Sequence, residues 1–529
     1  MKKVLLDGNS LTINEVIEVA RNCAEVEITQ ESILKMKKSR EIVDEFVAEN
    51  KVVYGITTGF GNFSDVYISK DQTAELQRNL IISHACGIGN PLSEETVRAV
   101  MLLRVNAIAK GLSGVRLSTI DTLVKMINKR VHPVIPEKGS LGASGDLAPL
   151  SHMVLVMIGE GEAYYKGEIM SGKEAMKKAG IETIELTSKE GLGLINGTQV
   201  MTAIGTLTVY DAINLSKHVD IIASLTVEAL SGITDPFKRK IHEVRPHKGQ
   251  LDTAENLLRV LFDSKLTCTK SELDKKPNAK NHHHDGSACC GTHKVQDAYT
   301  LRCIPQIHGA SKDAINFVKD KIDIEINSAT DNPLIFVDDK EVISGGNFHG
   351  QPMALAFDFL AIALSELASV SERRIERLVN PQLSGLPAFL TEKGGLNSGF
   401  MIAQYSAASL VSENKVLSHP ASVDSIPSSA NQEDHVSMGT IAARKAREIL
   451  FNATRVVAIE LMAAAQGVEF SDSTKLGVGT AIAYKKIRKV VTKLTDDRVM
   501  YFDINKSAEL IESNLIVEEV EKVIGELKS

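Results

Sequence analysis

The sequence predicts a mainly α-helical protein: a core bundle of long helices with a smaller mixed region on the N-terminal side. Three observations lead to this prediction. Apolar residues recur at intervals of three and four over residues 446–464, and this helical period continues past the usual helix length. Strand patterns are short. Hydrophobic residues make up 43% of the 529 positions, enough for a sizeable core.

The elements change in character near residue 200. Before that point they are shorter and glycines are more frequent; after it, helical periodicity runs through residues 200–232, 353–379 and 402–415. We therefore predict two regions without a linker. Residues 1–200 form an N-terminal region, and residues 201–529 form the long-helix bundle with a C-terminal helical extension.

Two β-hairpins are predicted among these helices. Short apolar segments at 163–165 and 168–170 flank Lys166-Gly167, a pair suited to a tight turn. Residues 334–337 and 342–343 flank Asp338-Asp339 in the same way. Both hairpins are peripheral to the helical pattern.

Composition excludes several classes of partner. The formal net charge is −7 and basic runs such as 238–240 are short, so a nucleic-acid surface is not expected. Too few apolar residues precede Asp7 for a signal peptide, and the most apolar stretch, 353–367, is interrupted by Asp358 and Glu366. Six cysteines are too few for a disulfide framework. We expect a soluble, cytoplasmic protein that binds a small molecule, with neither nucleic acid nor membrane as a partner.

Two short sequences resemble known motifs, a phosphate-binding loop and a zinc-binding histidine pair, but each lacks a residue or spacing that the motif requires. Residues 167–173 match most of a phosphate-binding loop, but Glu174 stands where Ser or Thr would hold magnesium and would repel phosphate. His242 and His247 are five residues apart with Pro246 between them, so one helical face cannot present both to zinc. We reject the first motif and interpret the second as a helix end.

A third string is rich in metal-binding residue types. Its members crowd into residues 281–293: His282, His283, His284, Cys289, Cys290 and His293. Imidazole and thiolate are the ligands that zinc prefers, but the string contains no Cys-x-x-Cys pair. We favour a polar loop and predict no metal site, while a regulatory or metal-binding role of this segment stays open.

The stretch 139–153, GSLGASGDLAPLSHM, contains a tripeptide with chemistry of its own. The backbone nitrogen of Gly145 can attack the carbonyl carbon of Ala143, and loss of two waters, one from the Ser144 hydroxyl, leaves an electrophilic methylidene-imidazolone ring. Alanine is small enough for the tight loop and glycine lets the backbone fold back on itself. Asp146 can assist the proton transfers. Because such tripeptides also occur in ordinary turns, the surroundings decide.

Those surroundings resemble, almost end to end, the family of histidine and aromatic amino acid ammonia-lyases. The resemblance spans about residues 50–440. Besides 139–153 it is carried by YGITTGFG at 54–61, NLIISHACGIGNPL at 79–92, EGLGLINGTQ at 190–199, KVQDAYTLRCIPQ at 294–306, NSATDNPL at 327–334, GGNFHGQP at 345–352, GLNSGFMIAQY at 395–405 and SSANQEDHVSMG at 428–439.

The resemblance implies a mostly helical homotetramer whose active sites are each built from several subunits. It implies that Ala143-Ser144-Gly145 forms 4-methylidene-imidazol-5-one (MIO) autocatalytically, without any soluble cofactor. The implied reaction eliminates ammonia from an α-amino acid to give an α,β-unsaturated acid. Because an amine leaves poorly and the β-proton is weakly acidic, the reaction needs an electrophile at one end of the substrate and a base at the other.

The resemblance also assigns roles to single residues. Tyr54, in the N-terminal region that also carries the ring-forming loop, matches the base at the β-carbon, a role that requires an acidified phenol. Arg302 matches the guanidinium that grips the substrate carboxylate in a bidentate manner. Polar groups around the ring and substrate, and an aromatic near the substrate, are matched by Asn196, Gln296, Tyr299 and Phe348. Outside the family context each of these positions has an ordinary packing or surface role.

Two positions indicate the substrate. His84, together with Glu433, looks like the combination of the histidine-specific members, in which a carboxylate accepts the imidazole N–H and would be left unpaired against a phenyl ring. We therefore predict elimination of ammonia from L-histidine to urocanate, as in histidine degradation. Tyrosine- or phenylalanine-specific lyases and 2,3-aminomutases remain the alternatives. The aminomutase alternative rests on Thr57, because bacterial aminomutases of the family also have a threonine at this position of the motif. The predicted catalytic residues are Tyr54, Ala143, Ser144, Gly145, Tyr299 and Glu433, and the predicted substrate-binding residues are His84, Asn196, Gln296, Arg302 and Phe348.

Overall fold

The structure, a computed structural model, describes residues 3–49, 51–53, 55–56, 58, 72–275 and 295–529. The chain divides into two compact units. Unit 1 comprises Met1–Tyr210, Val318–Asp358 and Pro420–Lys445; unit 2 comprises Asp211–Phe317, Phe359–His419 and Ala446–Ser529. The predicted division into residues 1–200 and 201–529 is a division along the sequence, whereas each compact unit combines several segments. That division stays a prediction.

The strands of the described residues all belong to unit 1. They are β1 (Lys3–Leu6), β2 (Glu25–Ile28), β3 (Ile88–Pro91), β4 (His132–Pro133), β5 (Pro136–Lys138), β6 (Glu162–Tyr165), β7 (Glu168–Ser171), β8 (Leu334–Phe336) and β9 (Glu341–Ile343). β1 pairs with β2 in parallel, whereas the other ladders, β3–β5, β4–β6–β7 and β8–β9, are antiparallel.

Both predicted hairpins are confirmed. β6 and β7 pair with Tyr165 opposite Glu168, and the turn between them has Lys166 and Gly167 at φ values of 52° and 84°. Two successive positive φ values are the geometry of the tight hairpin turn that matches strand twist. The second hairpin pairs Leu334 with Ile343.

The helices carry most of the fold. They are α1 (Ile13–Ala20), α2 (Gln30–Ala48), α3 (Thr73–His84), α4 (Glu94–Ala109), α5 (Leu117–Lys129), α6 (Ala148–Met157), α7 (Gly172–Lys178), α8 (Glu190–Ile195), α9 (Gln199–Ala229), α10 (Arg239–Glu243), α11 (Lys248–Val260), α12 (Lys270–Lys275), α13 (Tyr299–Arg302), α14 (Ile304–Glu325), α15 (Gln351–Val379), α16 (Pro381–Ser384), α17 (Met401–Leu417), α18 (Gly439–Val468), α19 (Val478–Val490), α20 (Met500–Glu512) and α21 (Leu515–Ile524). Short 3-10 helices occur at Asp235–Phe237, Ala388–Leu390, Ser429–Asn431 and Ser473–Lys475.

The mainly helical fold class is confirmed, and the four predicted long helices appear as α9, α15, α17 and α18. The 22-residue helix α14 was not predicted. Its sequence contains Pro305 and Gly309, and its buried face includes the polar side chains of His308 and Lys312, so the apolar period is interrupted. The helix-end interpretation of His242 is also confirmed, since α10 ends at Glu243.

Helix α4 forms the centre of unit 1. Ser93 caps its N-terminus by accepting a hydrogen bond from the backbone N–H of Thr96, and every residue from Thr96 to Ala109 is buried. α4 packs against α1, α2 and α5. Two arginines of this helix, Arg98 and Arg104, are buried as completely as its leucines.

Unit 2 has a buried ionic network of its own. The Arg374 guanidinium makes two hydrogen bonds to the Glu460 carboxylate, of 2.6 and 2.9 Å, and His308 Nδ1 lies 2.8 Å from an oxygen of Asp220. Lys312 donates to the other Asp220 oxygen. Because each buried charge has a partner of opposite sign, the network fixes the helices that carry it.

One helix in the described part of the chain is long and apolar enough to cross a membrane by length and composition. It is α15, and 67% of its apolar window is buried inside the structure. A helix at the core of a globular protein passes the same test, and burial on this scale is typical of such a helix.

Candidate active site

The Ala143-Ser144-Gly145 tripeptide lies in a tight loop just before α6. Gly145 has a φ of 73° and forms a bridge with Gly197, so close that a Cβ atom at position 145 would overlap the Gly197 carbonyl. Only glycine fits there. Ala143 is buried in a small apolar cluster with Val436 and Met438. The loop is therefore bent sharply and held from two sides, as the predicted cyclisation requires.

Asn196 contacts the serine of the tripeptide. It follows α8, is buried, and its side-chain Nδ2 donates to the Ser144 carbonyl oxygen at 3.2 Å and to the Ser144 hydroxyl at 2.9 Å. Its Oδ1 atom is buried without a hydrogen-bond partner among the described residues. A buried amide oxygen in this state is available to a group that forms or binds next to Ser144. The residues present therefore fit a ring made from the tripeptide.

Asp146 follows the tripeptide and is fully buried. It accepts hydrogen bonds from the backbone N–H groups of Val200 at 2.7 Å and Met201 at 3.2 Å, and from the hydroxyls of Ser140 and Thr440. Burial raises its pKa to about 6, although the four hydrogen bonds act in the opposite direction. The carboxyl group can therefore gain or lose a proton close to neutral pH.

A second acid, the half-buried Glu325, which the sequence did not indicate, lies close enough to influence Asp146. Glu325 accepts a hydrogen bond from the Thr198 hydroxyl, and burial raises its pKa, with the charge of Asp146 acting in the same direction. Glu325 lies at the end of the unpredicted helix α14, where an acidic residue ordinarily indicates a solvated surface.

His84 and Glu433 are brought together in unit 1. His84 is the last residue of α3, is half-buried, and hydrogen-bonds through Nδ1 with the Ser83 hydroxyl at 3.1 Å. Burial lowers the pKa of His84, and the nearby charge of Glu433 opposes this shift. The Glu433 carboxylate accepts a hydrogen bond from Ser428 at 3.1 Å. The shift favours the neutral form of the His84 imidazole, and Glu433 lies close enough to act on it through its charge.

Phe348 lies half-buried in a turn of the loop between β9 and α15. The next residue, His349, donates from Nε2 to the His435 carbonyl oxygen at 3.2 Å, and the two imidazole rings stack with centroids 5.8 Å apart. This contact joins the loop of Phe348 to the loop of Glu433. The sequence did not indicate it, because the two histidines are 86 residues apart.

Three predicted site residues gather at α13, in unit 2. Arg302 Nη1 donates to the Gln296 side-chain oxygen at 2.9 Å, and the Arg302 guanidinium carbon lies 4.8 Å from the centroid of the Tyr299 ring. Tyr299 is 69% exposed. The Arg302 Nε atom is buried without a hydrogen-bond partner in the described part of the chain. A guanidinium with this open donor, beside a phenol and an amide, is suited to a carboxylate ligand.

Some sequence predictions lie outside the described residues. They concern Tyr54, Thr57 and the histidine- and cysteine-rich segment 281–293. Within the residues that the structure describes, no group of three or more His, Cys, Asp or Glu side chains is arranged to hold a metal ion.

Comparison with known proteins identifies the family of the chain. Residues 11–489 match the family model for aromatic amino acid lyases. The chain is 68% identical over 524 residues to a protein of Alkaliphilus oremlandii named histidine ammonia-lyase, covering 99% of both chains. A crystal structure of histidine ammonia-lyase from Trypanosoma cruzi is 40% identical, with a TM-score of 0.89 and coverage of 100% of this chain and 98% of that one.

The chain is equally similar to a structure whose name indicates a different reaction. A crystal structure of tyrosine aminomutase from Streptomyces globisporus is 40% identical, with a TM-score of 0.92 and coverage of 98% of both chains. The family match covers far more than half of the sequence, and the folds agree along their whole length. The chain belongs to the aromatic amino acid lyase family.

Proposed function

We propose that this protein is a histidine ammonia-lyase, a carbon–nitrogen lyase that removes ammonia from L-histidine without oxidation and releases urocanate in histidine degradation. The observation that carries the proposal is the neighbouring pair of His84 and Glu433, which suits an imidazole side chain, in a chain 68% identical to a protein of that name. A phenyl or phenol substrate would offer no imidazole N–H group to the Glu433 carboxylate.

We propose that Ala143, Ser144 and Gly145 form MIO. The glycine-only approach of Gly145 to Gly197 and the hydrogen bond from Asn196 to the Ser144 hydroxyl support this. When formed, the ring supplies the electrophilic centre that activates the substrate for loss of ammonia. Asp146, with a pKa of about 6, is the proposed proton donor and acceptor during ring formation. No soluble cofactor takes part in this scheme.

The remaining proposed roles concern substrate binding and proton removal. Arg302 holds the substrate carboxylate, with Gln296 and Tyr299 completing its polar surroundings. Tyr54 removes the β-proton, and Phe348 contacts the substrate side chain. A base and a carboxylate clamp on different parts of the chain fix the substrate's orientation, which is worth several orders of magnitude in rate.

His84 and Glu433 are proposed to recognise the imidazole. Burial keeps His84 neutral near pH 7, so its ring can hydrogen-bond to the substrate without bringing a second positive charge. Glu433 accepts the substrate N–H. Each buried polar group left unpaired by a substitute side chain costs about 1–3 kcal/mol, and a charged group costs more. If the bound substrate covers both His84 and Glu433, two such penalties together discriminate against phenylalanine by several orders of magnitude.

The proposed working form is a cytoplasmic homotetramer with sites shared between subunits. The exposure of Tyr299 at 69% supports sharing, because an aromatic residue of an active site is expected to be covered in the assembled enzyme. The aminomutase reaction differs only in where the ammonia goes. Identity of 40% to both a histidine ammonia-lyase and a tyrosine aminomutase does not separate the two outcomes, so the product must be identified.

The test is to incubate the purified protein separately with L-histidine, L-tyrosine and L-phenylalanine and to identify each product by mass spectrometry. We expect urocanate and ammonia from histidine, and a kcat/KM for histidine at least about a thousandfold above those for the other two. A β-amino acid product would assign the aminomutase reaction instead. Preferential conversion of tyrosine or phenylalanine would contradict the substrate assignment.

The double variant His84→Leu, Glu433→Gln tests the two specificity residues. We expect steep loss of histidine turnover at an unchanged melting temperature. Glu174→Gln is a matched control, since Glu174 is an exposed residue of α7 paired with Lys178, and this variant should keep full activity. Unchanged histidine turnover in a folded double variant would show that these residues do not read the substrate.

A further inference from the structure

Arg104 is fully buried within helix α4, and its guanidinium is directed at one short segment. Nη1 donates to the Asn196 carbonyl oxygen at 2.8 Å and to the Gln199 side-chain oxygen at 2.6 Å, and Nη2 donates to the Gly193 carbonyl oxygen. All three acceptors belong to residues 193–199. One rigid, planar cation therefore holds the beginning, middle and end of this segment.

The same segment makes the contacts with the ring-forming loop. Asn196 donates to both oxygens of Ser144, and the Gly197 carbonyl accepts from the Asp146 backbone N–H at 2.8 Å. Packing around Gly197 is so tight that a Cβ atom there would overlap the side chains of Gln199 and Arg104. A shift of residues 193–199 would therefore move both contacts together.

The cost of burying this cation indicates a specific role. Burial lowers the pKa of Arg104 to about 10, so the group still carries its charge at neutral pH. Asp331 and Asp146 favour the charged form, and Asp331 is itself paired with the buried Lys189 at 2.6 Å. A leucine or methionine would fill the volume without such compensation, but neither could donate to the three acceptors.

We propose that Arg104 is a positioning residue for the prosthetic group, which fixes residues 193–199 so that Asn196 and Gly197 hold the Ala143-Ser144-Gly145 loop in the geometry that cyclises. This inference rests on the proposed function. It adds to that function a residue that touches neither the substrate nor the tripeptide.

Helix α4 itself offers a matched control. Arg98 lies six residues earlier, is 1% exposed, and also uses its guanidinium to bind backbone carbonyls, those of Val19 at 2.8 Å and Ile127 at 3.1 Å. Burial lowers its pKa as well. The partners of Arg98 among the described residues all lie outside residues 193–199, so Arg98 reports what a buried arginine of this helix contributes to stability alone.

The experiment compares Arg104→Lys with Arg98→Lys in the full-length protein. For each variant and the wild type we would measure the intact mass, the melting temperature, kcat and KM for L-histidine. Lysine keeps the charge but makes one point contact in place of a fork. We expect both variants to lose a similar amount of thermal stability. Only Arg104→Lys should show a fraction of chains lacking the loss of two waters, together with a kcat lower by about a hundredfold.

A second variant keeps the proposal testable if Arg104→Lys does not fold. Gln199→Met removes one acceptor and leaves Arg104 in place, and we expect a kcat lower by about tenfold with KM nearly unchanged. If the folded Arg104→Lys or Gln199→Met protein has lost two waters in every chain and keeps the wild-type kcat, the proposed role of Arg104 is wrong. That result would leave the proposed ring chemistry intact. A wild-type protein that is active without losing two waters would overturn the proposed ring chemistry itself, and this role with it.

Discussion

The two clusters of proposed site residues differ in how completely the chain itself surrounds them. Around the loop of Ala143-Ser144-Gly145, which we propose forms the ring, Asp146 accepts four hydrogen bonds, Gly145 touches Gly197, and Asn196 binds Ser144. Around Arg302 the structure shows one hydrogen bond to Gln296 and a tyrosine ring that is 69% exposed.

The difference matches two kinds of chemistry. A loop that reacts with itself has no substrate to organise it, so the folded chain must supply the whole geometry in advance. An arginine that binds a substrate carboxylate instead needs donors that the protein itself does not engage, and the buried Nε of Arg302 has no partner among the described residues. The two clusters should therefore respond differently to mutation.

The largest expected effect comes from removing the proposed carboxylate clamp. Arg302→Ala should lower kcat/KM for L-histidine by about a thousandfold or more, because the substrate loses its charged anchor. The intact mass should still fall short of the sequence mass by two waters, since the ring loop is organised without Arg302. Arg302→Lys is the control: it keeps the charge but not the fork, and should recover only part of the activity. Loss of the ring in a folded Arg302→Ala protein would contradict the separation.

A second prediction tests whether each active site takes residues from more than one subunit. Inactive Tyr54→Phe and Arg302→Ala chains, assembled together, should regain part of the wild-type activity if each site takes these residues from different subunits. Tyr54→Phe and Arg302→Ala homotetramers measured alone provide the background. Mixed tetramers verified by mass that show no recovery would mean that one chain supplies both residues.

Asp146 gives the smallest effect and a pH dependence. Its folded pKa of about 6 lies above the ordinary value of 3.8, so between these values the folded state binds more protons and stability falls as the pH rises. The ionised group costs about 3 kcal/mol above pH 6. The free energy of unfolding of Asp146→Asn relative to wild type should therefore increase by up to this amount from pH 4 to pH 7, measured by denaturant unfolding. A pH-independent difference would show that burial does not perturb this carboxyl group.

The sequence predicted those parts of the fold that depend on local pattern. The hairpin at Lys166-Gly167 and helices α9, α15, α17 and α18 follow from periodicity and turn chemistry, and all are present. Helix α14 was missed because its buried face includes polar residues such as His308, whose partners are distant in sequence. Periodicity cannot reveal a helix whose core is ionic.

The candidate site shows the same limit. The motif around residues 139–153 led to the tripeptide, and the resemblance named Asn196 and Arg302, but neither gave the contacts that hold them. In the sequence, Arg104 is a single charge on an apolar helix. Its role becomes visible only in the structure, where its three acceptors, about ninety residues away, belong to one segment. Glu325 and the His349–His435 contact were missed for the same reason, since each pairing is between residues far apart in the chain.

The most direct measurement is the intact mass of the purified wild-type protein beside that of Ser144→Ala. We expect wild-type chains to be lighter than their sequence mass by two water molecules. We expect Ser144→Ala, which lacks the leaving hydroxyl, to regain at least one water and to lose activity, with its melting temperature as the control for folding. An active wild-type protein with its full sequence mass would contradict the claim that this chain makes its own electrophile.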